Sequence, residues 1–326
     1  MQPLAWYASS FIVALAGFAP PANAASDLVF VANFEPPPDC AMPGTASCPG
    51  FTLQTPDVQI DAGQSIAYCY YFHMPSTGTL GVGRFSSVFG ADVQHIIVYV
   101  TTSDHLPPGT LSSSDCGLAA AGASNPRRVY QAHHIRESLR MPSDDGSGMP
   151  VAVELAANQP AFAEMYFANA DVVPVTTSVT FSANGLASAQ SYTRTATYML
   201  YNANIDVAPH SSSTAADSCA LPGAVKFWWF STHTHRFATE AKLSNGATTL
   251  VDTTNFEDPA IATYSAAPFY VFGSGDQLTY SCSYFNNTGS TLTAGDSYDV
   301  DENCVGIGYF FPATGPLLCV NHTGPF

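Results

Sequence analysis

The sequence predicts an all-β chain folded as two β-sandwich domains, and three observations carry that expectation. Only 10% of the residues are charged while 12% are aromatic, a balance that suits sheets better than helical bundles. Thr, Ser, Gly and Pro are spread throughout and cut the chain into short β-rich runs separated by turn signals. A length of 326 residues is enough for two domains of ordinary size, each with its own core.

Charge and targeting signals narrow the setting. With 25 acids against 9 bases the formal charge is −16, and Lys226 and Lys242 are the only lysines. Such a surface repels phosphate backbones, so no nucleic-acid partner is expected. Residues 1–24 read as a secretory signal, with an apolar core over 11–18 and the small residues Ala22, Asn23 and Ala24 at its end. No later apolar run is long enough to span a bilayer. Eight cysteines, an even number, fit an oxidising compartment and a disulfide framework. The expectation is a secreted or periplasmic protein with no membrane span.

The first domain is expected over 25–190. A short strand over 28–34 runs into Pro36, Pro37 and Pro38, which end sheet pairing, and Cys40 and Cys48 bracket the following loop and can close it. Strands are predicted over 64–72 (QSIAYCYYF), carrying Cys69, and over 93–101 (VQHIIVYVT), carrying His95, because both are dense in β-branched and aromatic residues. Cys116, in a Ser-rich turn, is expected to pair with Cys69. Residues 127–149 look polar and irregular. They contain His133 and His134, of which only one could face a given site in an extended chain. Strands over 161–167 and 173–182 close the domain, and 183–191 is a connector.

The second domain is expected over 191–326. It opens with a strand over 198–207 and a surface turn over 209–217, then reaches the aromatic strand 227–237, FWWFSTHTHRF. Segments 240–244 and 248–252 flank Asn245-Gly246, a strong hairpin signal. A turn at Gly275-Asp276 feeds the strand 277–285 (QLTYSCSYF), and 301–312 (DENCVGIGYFFP) is a last core strand before Cys319. No helix of consequence and no solenoid repeat is predicted.

The aromatic strand is where chemistry concentrates. Side chains alternate along a strand, so His233 and His235 leave the same face and aim two nitrogens at one spot. Imidazoles at that spacing suit copper or zinc. The alternative is a pair of buried histidines that only hydrogen-bond within the sheet.

Several motifs then line up in one order: His233-Thr234-His235; Gly275-Asp276-Gln277-Leu278 leading to Ser281-Cys282-Ser283-Tyr284; and Glu302-Asn303-Cys304 followed by Tyr309-Phe310-Phe311-Pro312. In this the second half resembles the catalytic domain of the copper type II, ascorbate-dependent monooxygenases, the family of dopamine beta-monooxygenase and peptidylglycine alpha-hydroxylating monooxygenase. The resemblance implies two jelly-roll-like antiparallel β-sandwiches packed side by side, one copper on each, facing across a solvent cleft. It also implies the bridges Cys219–Cys319 and Cys282–Cys304. The implied C-terminal ligands are His233, His235 and a third residue at Asn303, where the family places a methionine. A thioether favours Cu(I), whereas an amide oxygen is a hard donor, so a weaker third ligand is expected.

The first half resembles the family's N-terminal domain through Tyr68-Cys69-Tyr70, Met74-Pro75 and Val93-Gln94-His95-Ile96. His95 matches one ligand of a second copper, while Gln94 and Tyr166 stand at the other two ligand positions. His105, His133 or His134 could join His95 in a site, although nothing in their spacing argues for it, and the alternative is a lone His95 satisfied in the sandwich core; His73, His210 and His322 carry no motif. Positions that clamp a peptide carboxylate in the family are Ser231, Val305 and Ile307 here, so a small or apolar substrate is expected instead, with Arg236 as a possible anion contact. The implied function is an exported copper-dependent monooxygenase-like protein using dioxygen, with ascorbate or another reductant as electron source. The alternative is a non-catalytic secreted copper- or ligand-binding protein on the same fold. There is no G-x-S-x-G, P-loop or H-E-x-x-H motif to support a hydrolase, nucleotide or zinc-protease reading.

Overall fold

The computed structural model describes residues 49–118, 121–187 and 190–325. The expected signal segment, the strand over 28–34 and the Cys40–Cys48 bridge lie outside the described residues. What is described is all β: the helical content is one 3₁₀ turn, Gly122–Ser124, and no helix among the described residues is long and apolar enough to cross a membrane.

An eleven-stranded sheet runs through both halves. Its path is Gly50–Gln54, Val179–Gly185, Leu80–Phe89, Val151–Leu155, Thr193–Tyr201, Val305–Phe311, Lys226–His233 and Ala262–Thr263. The two halves meet where Thr193, Arg194 and Thr195 pair in parallel with Val151, Ala152 and Val153. Over the first half lies a five-stranded sheet, ordered Leu111–Ser112, Ser65–His73, Pro160–Ala168, Val93–Val100 and Arg127–Ala132. Over the second lies a four-stranded sheet, ordered Ser212–Ala220, Gln277–Phe285, Ala238–Asn245 and Thr248–Thr253. Each pair of sheets encloses a core, so the fold is two β-sandwiches side by side. Phe85, Phe181, Val98 and Phe167 centre the first core; Phe227, Phe310, Leu243 and Tyr280 centre the second.

The halves repeat one structural device. Asn169, one residue past strand Pro160–Ala168, is buried and donates through its amide to the carbonyls of Ile60, Asp61 and Val173. Asn286, one residue past strand Gln277–Phe285, is buried and donates to the carbonyls of Val207, Ala208 and Ser290. In both cases the side-chain oxygen accepts the N–H two residues on. Each amide thus satisfies backbone groups that the sheets leave unpaired at a corner.

Three disulfides join Cys69 to Cys116, Cys219 to Cys319 and Cys282 to Cys304, the pairs expected above. The Asn245-Gly246 hairpin forms, with Gly246 at φ 54° as such a turn requires. Other segments differ from expectation. Residues 127–149 are not irregular: they contain strands Arg127–Ala132 and Arg136–Arg140. Buried Arg128 and Gln131 bond to each other at 2.6 Å, so polar side chains sit inside a strand that hydrophobic patterning does not reveal. Residues 209–217 are not a free turn but enter strand Ser212–Ala220. Its small polar residues are held by cross-strand hydroxyl pairs, Thr214 with Ser283 and Ser218 with Thr279.

Candidate metal centre

A β-bulge decides where His233 points. The register of strand Lys226–His233 against Val305–Phe311 shifts between Phe227 and Trp229, and a bulge re-aims the residues that follow it. Phe227 and Phe230 stack at 5.1 Å within the second core. Trp228 and Trp229 instead both reach Tyr309, at 5.1 and 5.4 Å, as part of the apolar cluster continuous with the first sandwich. Gly308 makes this packing possible, since a Cβ there would lie 2.8 Å from the Phe227 ring. With Trp229 on the interdomain side, His233 follows it there.

His95 comes from the opposite half. It lies in strand Val93–Val100 directly across from Tyr166, on the face shared with Ile97 and Tyr99 rather than on the core face of Ile96 and Val98. The third contributor is Tyr298, on the segment between Ala294 and Glu302 that an isolated bridge pins at both ends. This segment runs tight against the turn after Cys116. Gly117 has φ 110°, and a Cβ on it would sit 2.3 Å from the Asp296 side chain, so only glycine fits.

These elements bring four imidazoles and a phenol together. The Tyr298 hydroxyl is 2.5 Å from His95 Nε2 and 3.0 Å from His233 Nε2. The ring centres of His95 and His233 are 5.4 Å apart, those of His95 and His133 5.4 Å, and those of His133 and His233 6.2 Å. His235 lies against Tyr298 at 3.8 Å, tilted by 34°, and Tyr166 stacks on Tyr298 at 4.0 Å. His95, His233, His235 and Tyr298 are all at most 4% exposed. Instead of two groups of histidines across a solvent cleft, the structure holds one buried cluster at the junction of the sandwiches.

His233 and His235 both line it, but their Nε2 atoms meet different partners. The strand ends at His233, so the alternation that would align the two rings stops there, and the rings lie 5.6 Å apart and nearly perpendicular, at 85°. His235 Nδ1–H donates to the Asp301 carbonyl at 3.1 Å, which leaves Nε2 as the lone-pair nitrogen. That nitrogen accepts from the Asn303 amide at 2.9 Å. Glu302 builds the turn beneath: its carboxylate accepts the N–H groups of His235, Phe237 and Asn303, and Cys282–Cys304 anchors the same stretch.

Electrostatics keep the imidazoles neutral. Burial holds His95 and His233 well below the usual histidine range and His133 and His235 at about 4. Burial also pushes the Tyr298 phenol well up, Glu302 to about 7, and Glu164, with Asp296 contributing, to about 8. Neutral imidazole is the form that ligates metals.

The donor set is compatible with a metal ion in one specific respect. Both ring nitrogens of His133, Nδ1 of His233 and Oδ1 of Asn303 are buried without a hydrogen-bond partner, and unsatisfied buried polar atoms of this kind cost about 1–3 kcal/mol each. Among the described residues no three His, Cys, Asp or Glu side chains are arranged to hold a metal. The point on which His95 and His233 converge is held by a phenol oxygen.

The remaining candidates lie elsewhere. His134 bonds Glu137 at 3.1 Å and Asp258 at 3.3 Å, while Glu137 also accepts the His133 N–H and so fixes that residue's backbone. His105 packs on Tyr71, and His73 and His322 pair with Asp104 and Asp217. Arg236 pairs with Asp299 at 3.0 Å. Ser231, Val305 and Ile307 are buried within the sheet. A cavity of about 410 Å³ opens beside the cluster, walled by Tyr298 and Tyr166 and by Ser65, Asp296, Asp299 and Asp301.

No known protein family and no curated protein matches the sequence. Among solved structures, the chain is similar to the major capsid protein P2 of bacteriophage PM2, at 9% identity over 80% of this chain and 97% of that one, with a TM-score of 0.28. It is similar to the STIV MCP at 10% identity over 80% and 96%, with a TM-score of 0.31. Overlap at those scores is too low to carry a statement about function.

Proposed function

We propose that the chain is an exported copper protein of the dioxygen-using, monooxygenase-like kind, with its centre in the imidazole cluster between the sandwiches. The observation that carries this reading is the collection of three buried histidines, His95, His233 and His235, and of His133, whose two ring nitrogens are buried, beside a cavity large enough for a small molecule. Copper in that setting supplies one-electron chemistry with dioxygen, drawing on ascorbate or another reductant. The chain's own residues supply the rest. The Asp301 carbonyl presents the lone pair of His235, and an oriented ligand of this sort binds metal more tightly than a free ring. Rotation of the Asn303 amide would turn its unpartnered oxygen towards the same place, as a hard and weak third donor. The cavity wall is polar and acidic, so a small polar substrate suits it better than an apolar one.

A second reading, a secreted copper- or ligand-binding protein without turnover, is favoured by Tyr166, whose ring stacks on Tyr298 where an imidazole would be needed for a second metal. Metal analysis after copper loading tests the first step, and equal copper in the native protein and in His233→Ala and His235→Ala would end the copper reading. Ascorbate-dependent oxygen uptake by the loaded protein, lost in His233→Ala, separates the enzyme from the binder.

A further inference from the structure

We propose that a second cavity between the sandwiches, where Arg127 of the first faces Pro316 and Leu317 of the second, binds a small organic carboxylate. The cavity measures about 320 Å³, with Val100, Arg127 and Gln159 in its wall on one side and Pro316 and Leu317 on the other. It shares no lining residue with the cavity beside the histidines and does not rest on the copper reading.

The charge in this cavity has one sign. Arg127 is the only charged residue among the described residues of its wall, although the chain carries 25 acids against 9 bases. Elsewhere Arg194, Arg236 and Lys242 pair with Glu154, Asp299 and Glu240 at 2.8, 3.0 and 2.6 Å. Among the described residues no carboxylate pairs with Arg127, whose side-chain hydrogen bond runs from Nη1 to the neighbouring Pro126 carbonyl at 3.1 Å.

The guanidinium is also partly desolvated. Arg127 lies directly across from Val100, a residue of the first core, and residues opposed in this way share a face of the sheet. Arg127 therefore emerges at the end of an apolar core, where burial lowers its pKa and no acid opposes the shift. An arginine stays protonated even there. A charge withdrawn from water without a counterion favours an anion that reaches it.

The rest of the wall selects the kind of anion. Gln159 Oε1 accepts the Ala156 N–H at 3.1 Å, which holds the amide in place and leaves Nε2 to donate. Together with the guanidinium fork this forms a pole of N–H donors, a match for the planar, bidentate carboxylate group. Val100, Pro316 and Leu317 offer apolar contact to a hydrocarbon portion, which an inorganic anion would leave unused.

The test is calorimetric titration of the full chain, at neutral pH and low salt, with butyrate and benzoate and with their neutral isosteres butyramide and benzamide. Circular dichroism confirms folding of each variant. Saturable binding of at least one acid is expected, with its amide at least about tenfold weaker. Arg127→Gln should weaken the acid by a similar factor and erase its advantage over the amide, while Leu317→Ala should weaken acid and amide together. The proposal is overturned by an acid that binds Arg127→Gln as tightly as the native chain, by an amide that binds as tightly as its acid, or by no saturable binding of either acid. Should Arg127→Gln fail to fold, the comparison of acid with amide on the native chain decides alone.

Discussion

His95 and His233 belong to different sandwiches, yet their Nε2 atoms meet at the same phenol oxygen, 2.5 and 3.0 Å away. The phenol is therefore a structural link between the halves as well as a chemical one. Tyr298→Phe should lower the stability of the metal-free protein by about 1–3 kcal/mol, the cost of leaving buried polar groups unpaired. Urea unfolding measures this; an unchanged midpoint would mean that water takes over the hydroxyl's role.

The pH dependence of stability follows from the same cluster. His235 is held at about 4 by burial, against about 6.5 when unfolded, so between those values the unfolded chain binds the extra proton and stability rises with pH. For His235 alone this amounts to roughly 3 kcal/mol between pH 4 and 6.5, and His95, His133 and His233 act in the same direction. Glu302 at about 7 and Glu164 at about 8 act oppositely: the folded state holds their protons, so stability falls as pH rises from their unfolded values through 7 and 8. The metal-free protein should be most stable near pH 6–6.5 by melting temperature against pH. A melting temperature that climbs steadily from pH 6.5 to 8 would contradict the placement of the two glutamates.

Glu302 accepts the N–H groups of the turn that carries His235. Removing it should cost about 3 kcal/mol or more, since several buried donors lose their acceptor together. Glu302→Gln keeps one acceptor oxygen and should cost less than Glu302→Ala, while erasing the part of the fall in stability between about pH 4.5 and 7 that Glu302 causes. Melting of the native protein and both variants at pH 5 and 7 checks both statements.

Asn169→Ala and Asn286→Ala each remove one corner amide and leave three carbonyls without their donor. Both should destabilise by about 2–3 kcal/mol, and by similar amounts, because the two corners are equivalent. By contrast, the exposed pair of His134 and Asp258 should contribute no more than about 1 kcal/mol. Chemical denaturation of the three variants side by side gives the ranking.

Much of this was legible in the residues. Aromatic and β-branched runs located strands Ser65–His73, Val93–Val100, Pro160–Ala168 and Gln277–Phe285, and the order of the second-half motifs drew attention to His233, His235 and Cys282–Cys304. Strand Leu80–Phe89 was hidden by Gly81, Gly83 and Arg84, although the glycines are there because a Cβ would strike Tyr192 and Leu186. Tyr298 carried no signal at all. It lies in the acidic, turn-rich run DSYDVDE, which reads as surface, and its burial arises from contacts with His95, Tyr166, His233 and His235, all distant in the chain. Periodicity likewise overstated the kinship of His233 and His235, because the strand ends between them.

The parallel ladder at Thr193–Thr195 and Val151–Val153 has a mechanical implication. Two lobes stitched by main-chain bonds resist separation at that seam, and the described opening beside the histidines is the flank that Tyr166 and Tyr298 wall. Cutting the polypeptide between residues 186 and 192 should leave both fragments sedimenting as one particle.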